Sequence, residues 1–400
     1  IDDPQARRIQ VRGLYGSSKS LVFSSTLKKG VNVAIMDNKE EAQFFTNDLY
    51  NLLDEENVFF FPASSNYVSN KINTIKDSSQ KVQRSAAISA LNAFINGKVK
   101  DKPIVIVAYP ASIYENVPNS NVLKKNILTI KKGEMVSHEF IKEALFEYKF
   151  EKVDFVGEPG QFALRGGIID LFSYSSDKPY RIDFFGDEVE SIGLFDPNTQ
   201  RTIQQENQVR VYPNIVDFSD NNGRGVPFFT TVPEDSVVWI SGIDEYHLEG
   251  VGVENKKIYL GSLRGDLEFD AKVEFNTVPQ PVFNKNFEIL SEDIRSKREE
   301  GYHIYIMSEN SSQINRLRSI FSSYDLVLDY CEFTIHEGFI DKDSKVCLYT
   351  DHQIFDRYRR IKLKRTVEKS ERLTLNDINS FREGDYIVHI DHGVGRFGGL

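Results

Sequence analysis

Short apolar runs alternate with helical stretches through the first third of the chain. Val31-Asn32-Val33-Ala34-Ile35-Met36 is one run. Asn57-Val58-Phe59-Phe60-Phe61, stopped by Pro62, is a second, and Ile104-Val105-Ile106-Val107-Ala108 a third. Between them Ala42, Phe45, Leu49 and Leu52 recur at spacings of three and four. Ile88, Leu91 and Ile95 mark a helix over 79–95, with Gly97 after its end. Apolar strands separated by helices predict a parallel, doubly wound sheet.

The texture changes near Asn126. One helix over 136–148 is followed by short alternating strands, 162–165, 168–172, 180–185 and 189–195. Gly166-Gly167 and Gly186-Asp187 stand at hairpin positions. Mixed signals return after Arg201, with Val237-Val238-Trp239-Ile240 as the clearest strand. Helices over 287–299 and 313–321 and strands over 302–307 and 346–349 predict a second, smaller α/β unit. The last stretch, 381–400, is glycine-rich with β-type alternation and too short to bury a core of its own. The chain is therefore expected to stop inside a domain of a longer natural protein.

The expected fold is thus α/β and multidomain. A parallel doubly wound domain (1–120 and 203–277) is split by an antiparallel β-rich module (121–202). A small α/β domain (278–366), a linker (367–380) and a truncated β segment (381–400) follow.

Side chains alternate along a strand, so parity assigns faces in the module. Phe162 and Leu164 share one face, as do Ile182 and Phe184, and that apolar face must meet the core. Arg165, Arg181, Asp183 and Phe185 fall on the other. An exposed aromatic beside arginines has the composition of a protein–protein hot spot. The alternative is that Phe185 caps a local cluster while the arginines pair with Asp183 or Asp187.

Charge narrows the partners. The chain holds 49 basic and 59 acidic residues, a net charge of −10, so only a local patch could meet nucleic acid. The basic run containing Arg357, Arg359 and Arg360 is the candidate for DNA or polymerase contact, against a solvated segment leading into the linker. No apolar run is long enough to span a membrane, and the first residues carry no secretory signal. Two cysteines, Cys331 and Cys347, exclude a disulfide scaffold and a cysteine-based zinc site and fit a reducing cytoplasm. His389 and His392 flank Asp391, but nothing completes a metal site, and a turn is the simpler reading. No spacing supports a Ser-His-Asp or Cys-His catalytic set.

Two stretches look like nucleotide motifs. Gly13-Leu14-Tyr15-Gly16-Ser17-Ser18-Lys19-Ser20 nearly matches the phosphate loop G-x-x-x-x-G-K-[ST]. Its second glycine, which lets backbone N–H groups close around phosphates, is replaced by Ser18. Lys19 and Ser20 retain the chemistry for phosphate charge and Mg²⁺. Asp244-Glu245-Tyr246-His247 spells a DExH box, displaced from its strand by Ser241-Gly242-Ile243. One match is broken and the other displaced, so the expectation is a retained shape without hydrolysis. The alternative is an active P-loop/DExH nucleotide-dependent DNA helicase fragment.

The stretches "FALRGGIIDLF" and "YRIDFFGDEVESIGLFDPNTQR" resemble bacterial transcription-repair coupling factors and, more loosely, the excision-repair protein UvrB. "GLYGSSKS" stands where UvrB has an intact phosphate loop and coupling factors a decayed one. "GDYIVHIDHGVGRFGGL" resembles the opening of the coupling factors' RNA-polymerase-interacting domain. The resemblance implies a non-catalytic, UvrB-like N-terminal region that recruits UvrA to stalled RNA polymerase and restrains the motor. The UvrA-binding positions fall on Arg165, Arg181 and Phe185. It also implies that the motor which uses ATP and Mg²⁺ and travels on DNA lies beyond Leu400, so no cofactor is expected here. Ser18 agrees with loss of ATPase function, and the stretch from Glu245 to Tyr259 looks shorter than is usual in that family.

Overall fold

The structure, a computed structural model, describes residues 5–64, 78–97, 101–118, 127–174, 176, 178–212, 225–242, 255–262, 267–359, 361, 384, 386–389 and 393–396. Asp244 to His247, Arg360, Asp391, His392 and the expected linker lie outside the described residues, so the DExH stretch and the histidine pair have no structural account.

The first part of the chain forms β1 (Arg8–Arg12), α1 (Ser18–Ser25), β2 (Gly30–Ile35), α2 (Lys39–Leu52), β3 (Val58–Phe60), α3 (Ser78–Ile95) and β4 (Pro103–Ala108). The start of α2 follows from sequence chemistry. The Asn38 side chain accepts from Glu41 N–H at 3.0 Å, and Glu40 and Glu41 sit in the positively polarised first turn. Helix α3 buries Ile88 and Leu91, but Ile95, expected on the same stripe, is exposed in its last turn.

The chain then builds the module. Strand β5 (Leu128–Lys131) precedes α4 (His138–Glu147). Next come β6 (Glu151–Lys152), β7 (Gln161–Arg165), β8 (Ile168–Leu171), β9 (Tyr180–Phe185), β10 (Glu188–Phe195), β11 (Thr202–Glu206) and β12 (Gln208–Val211). Six of these form one sheet in the order β11-β10-β9-β8-β7-β6, antiparallel except for the β6–β7 pair, while β12 pairs with β5. Gly166 (φ +59°) and Gly186 (φ +63°) hold left-handed positions in two tight turns at the same end of the sheet. Ile141 and Leu145 of α4 pack on Phe162, Ile169, Ile182 and Phe184.

After the module the chain returns to the first sheet with β13 (Val237–Ser241), β14 (Lys256–Leu260) and β15 (Ala271–Glu274). The result is a seven-stranded sheet ordered β15-β1-β14-β13-β2-β4-β3, parallel throughout. Both faces are covered. Val31, Val33, Ile104 and Ile106 meet α3 on one side. Ala34, Val105 and Val107 meet Phe23 of α1 and Phe45 and Leu49 of α2 on the other. Trp239, fully buried, stands edge-on to Phe23 at 5.0 Å.

The last large unit comprises β16 (Thr277–Pro279), α5 (Phe287–Glu299), β17 (His303–Met307), α6 (Ser311–Ser322), β18 (Asp329–Cys331), β19 (Phe339–Asp341) and β20 (Val346–Thr350). Its five-stranded sheet runs β16-β19-β20-β17-β18, parallel at β20-β17-β18 and antiparallel beyond. Asn286 and Asn310 cap α5 and α6. Cys331 and Cys347 are free thiols, the latter inside this core. A final hairpin pairs β21 (Tyr386–His389) with β22 (Gly393–Arg396).

Candidate docking face and phosphate-loop region

Parity along β9 holds: Ile182 and Phe184 are buried and Phe185 is 79% exposed. The opposite face is less open than alternation alone suggests. Ala163, on that face, is buried in a small second cluster with Val156, Phe172 and Phe195.

The arginines are paired, though to neither Asp183 nor Asp187. Asp170, on the middle strand β8, is 1% exposed and lies opposite both Ala163 and Arg181 in the register. Arg181 grips it with two bonds, Nε to Oδ1 at 2.7 Å and Nη2 to Oδ2 at 2.9 Å, and Arg165 Nη2 also donates to Oδ2. Arg181 Nη1 donates to the Gln200 carbonyl at 3.1 Å. The bonds to Asp170 raise the Arg181 pKa further above its already high ordinary value. Each guanidinium also lies over an aromatic ring, Arg181 over Phe195 at 4.7 Å and Arg165 over Phe155 at 5.3 Å. A buried carboxylate thus fixes two planar forks in place, while Phe185 stands exposed farther along the same face. That is a preorganised surface for a partner with apolar and carboxylate groups. Asp170 was missed at the sequence level. Its signal is a carboxylate inside the apolar run Ile168-Ile169-Asp170-Leu171, which must find a partner.

Residues 13–20 lead from β1 into α1, and Glu337 sits against them. Gly13 (φ +73°) allows close approach: a Cβ there would lie 1.7 Å from the Phe275 carbonyl oxygen. The second α/β unit closes over the loop. Glu337 N–H donates to Ser17 Oγ at 2.9 Å, and the Glu337 side chain sits against Gly16, where a Cβ would lie 2.8 Å from Oε2. Ser18 turns its hydroxyl inward to the Tyr15 carbonyl at 2.7 Å, and Ser20 Oγ donates to Asp48 at 3.2 Å. The cleft, about 510 Å³, is lined by Lys19 together with Glu40, Glu41, Asp48 and Glu337. Four carboxyl groups around one lysine oppose a polyphosphate. On this geometry ATP titration is expected to give no saturable heat, and Lys19→Ala is expected to leave that result unchanged; ATP binding abolished by Lys19→Ala contradicts it.

The basic run needs correction at Arg359. Arg359, only 8% exposed, donates to Asp48 at 3.2 Å and to Glu309 at 2.9 Å, because the buried Asp48 carboxylate demands a counter-charge. Arg357 pairs with Asp351 at 3.0 Å and lies over Phe355. Arg359 is thus engaged within the protein, while the Arg357 side chain remains half exposed.

The same joint carries a pH response. His336 N–H donates to Asp48 Oδ1 at 2.7 Å, and its ring stacks on Phe44. Burial, then the nearby Arg359 charge, lower the His336 pKa to about 4, so it is neutral in the folded joint. Its contribution is complete above its ordinary value of 6.5 and is lost as pH falls toward 4. Burial raises Asp48 to about 6, the opposite sign: that contribution is complete below 3.8 and is lost as pH rises through 6. His336→Phe keeps the stack and removes the histidine contribution. Between pH 7.5 and pH 5 the melting temperature of His336→Phe is expected to fall less, or rise more, than that of wild type; an equal change contradicts this.

Two segments of the chain match known domain families. Residues 128–215 match the UvrB interaction domain, and residues 381–400 match the CarD-like/TRCF RID domain. A transcription-repair-coupling factor of Bacillus subtilis is 21% identical over 97% of this chain and 42% of its own length. One of Borreliella burgdorferi is 22% identical over 76% of this chain and 33% of its own length. One of Escherichia coli is 33% identical over 27% of this chain and 10% of its own length. The chain spans about two fifths of the Bacillus relative, and relatives named as coupling factors cover most of it.

Proposed function

We infer from this kinship that the chain, an N-terminal coupling-factor region with a UvrB interaction domain and the opening of a RID domain, serves as a non-catalytic docking platform. It recruits UvrA through the face carrying Arg165, Arg181 and Phe185. The observation that carries this reading is Phe185, exposed on a rigid strand beside two arginines clamped to one buried carboxylate, inside the segment that matches the UvrB interaction domain. A buried aromatic anchor would set the dissociation rate and the guanidinium forks the orientation.

ATP hydrolysis is not part of the reading. Ser18, the Glu337 side chain over Gly16 and the acidic lining of the cleft all support a loop that now joins two units of the fold. RNA polymerase contact belongs to the segment 381–400 that matches the RID domain, and contact with DNA to a motor outside this chain, which this region restrains. Co-elution of the chain with UvrA in size-exclusion chromatography tests the central step. A shared peak is the expected result, and separate peaks at micromolar concentrations overturn it.

A further inference from the structure

We propose that the docking face extends across the hairpin end of the sheet as one stripe, with Met135 and Phe155 as further contact residues flanking Phe185 and Arg165. The proposal rests on the reading that this face docks UvrA, and it deepens that reading by naming what the partner must present. Among the described residues, all four exposed phenylalanines of the chain (Phe140, Phe146, Phe155 and Phe185) lie in this module.

The register sets the stripe. Phe185 lies opposite Glu188, and Glu188 lies opposite Met135 in an isolated antiparallel bridge. Val136 N–H donates to the Asp187 carbonyl and Val189 N–H to the Glu134 carbonyl, so Met135 and Glu188 form a closely spaced pair with side chains on one face. Met135 is 71% exposed. On the other side of Phe185, Phe184 N–H donates to the Gly167 carbonyl, which brings the turn after Arg165 alongside. Phe155, 63% exposed, lies under the Arg165 guanidinium. It is held outward by its neighbours. Val153 N–H donates to the Phe162 carbonyl, Val156 is buried, and Gln161 Oε1 accepts from the N–H groups of Gly157 and Glu158.

The stripe therefore reads methionine, carboxylate, phenylalanine, arginine, phenylalanine. Single exposed apolar side chains are ordinary, but three large ones aligned with a fixed arginine make a contiguous patch. Its partner is an apolar ridge with a carboxylate set opposite Arg165. Methionine adapts to such a ridge, and a ring held by a rigid frame loses little freedom on binding.

Calorimetric titration of the chain with UvrA tests this, using Met135→Ala, Phe155→Ala and Phe185→Ala. Phe140→Ala, on the helix covering the opposite face, is the control. Met135→Ala and Phe155→Ala are each expected to weaken binding about five-fold or more with unchanged melting temperature, and Phe140→Ala to leave it unchanged. If Phe185→Ala weakens binding while Met135→Ala and Phe155→Ala stay within two-fold of wild type, the stripe is wrong and the docking reading stands. If the folded wild-type chain does not bind UvrA, both fall.

Discussion

Phe185→Ala is expected to weaken UvrA binding by about 1–3 kcal/mol, roughly 5- to 150-fold, with no change in the stability of the module. The side chain is 79% exposed, so its removal opens no cavity, and Ile182 and Phe184 remain in the core. Arg181→Ala is expected to weaken binding to a similar degree but is the less clean probe. It strips the bidentate partner from Asp170, which is 1% exposed, and so also costs stability. Titration and thermal melting of both variants separate the two effects. Wild-type affinity in a well-folded Phe185→Ala protein contradicts the role given to this residue.

Arg84→Met is expected to destabilise the first α/β unit by about 3–5 kcal/mol. Arg84 on α3 is 1% exposed; it donates to the Pro62 carbonyl at 2.6 Å, pairs with Glu115 at 3.1 Å and lies over the Phe61 ring at 4.3 Å. Glu115 in turn accepts from Ser64 N–H at 2.7 Å. The network ties α3 to the segments that follow β3 and β4, at the carboxyl edge of the sheet. Burial pushes the Arg84 pKa down, partly offset by the Glu115 charge. Removing the cation leaves the carboxylate buried without a counter-charge. Adding Glu115→Leu to Arg84→Met is expected to restore part of the loss, because two apolar groups leave no buried charge. Urea unfolding measures both, and a loss below about 1 kcal/mol for Arg84→Met contradicts the account.

The parallel sheet was legible because three of its strands, Gly30–Ile35, Pro103–Ala108 and Val237–Ser241, are dominated by apolar residues, as a strand covered on both faces requires. The module was legible because alternation and turn glycines fix its hairpins, and parity alone put Arg165, Arg181 and Phe185 on one face. Lys256–Leu260 and Ala271–Glu274 escaped notice. Their compositions, KKIYL and AKVE, mix polar with apolar residues, and only pairing with Arg8–Arg12, and for the first also with Val237–Ser241, brings them into the sheet. Glu337 and Arg359 were illegible as partners of the Gly13 loop and of Asp48, because those contacts join residues some 300 positions apart. Nothing local in the sequence encodes them. The same holds for Met135, whose place beside Phe185 depends on a single bridge between segments. The place of Arg359 was hidden for the same reason, because charge density along a sequence says nothing about a buried carboxylate that arrives from another unit.

The central claim is that the face around Asp170 docks UvrA. Calorimetric titration of UvrA into the wild-type chain and into the Arg181→Ala, Phe185→Ala double variant addresses it most directly, with melting curves to establish that both are folded. The account predicts saturable binding by wild type that falls roughly 30-fold or more, about the sum of two hot-spot losses, in the double variant. Equal binding by the two proteins, or none by the folded wild type, would contradict it.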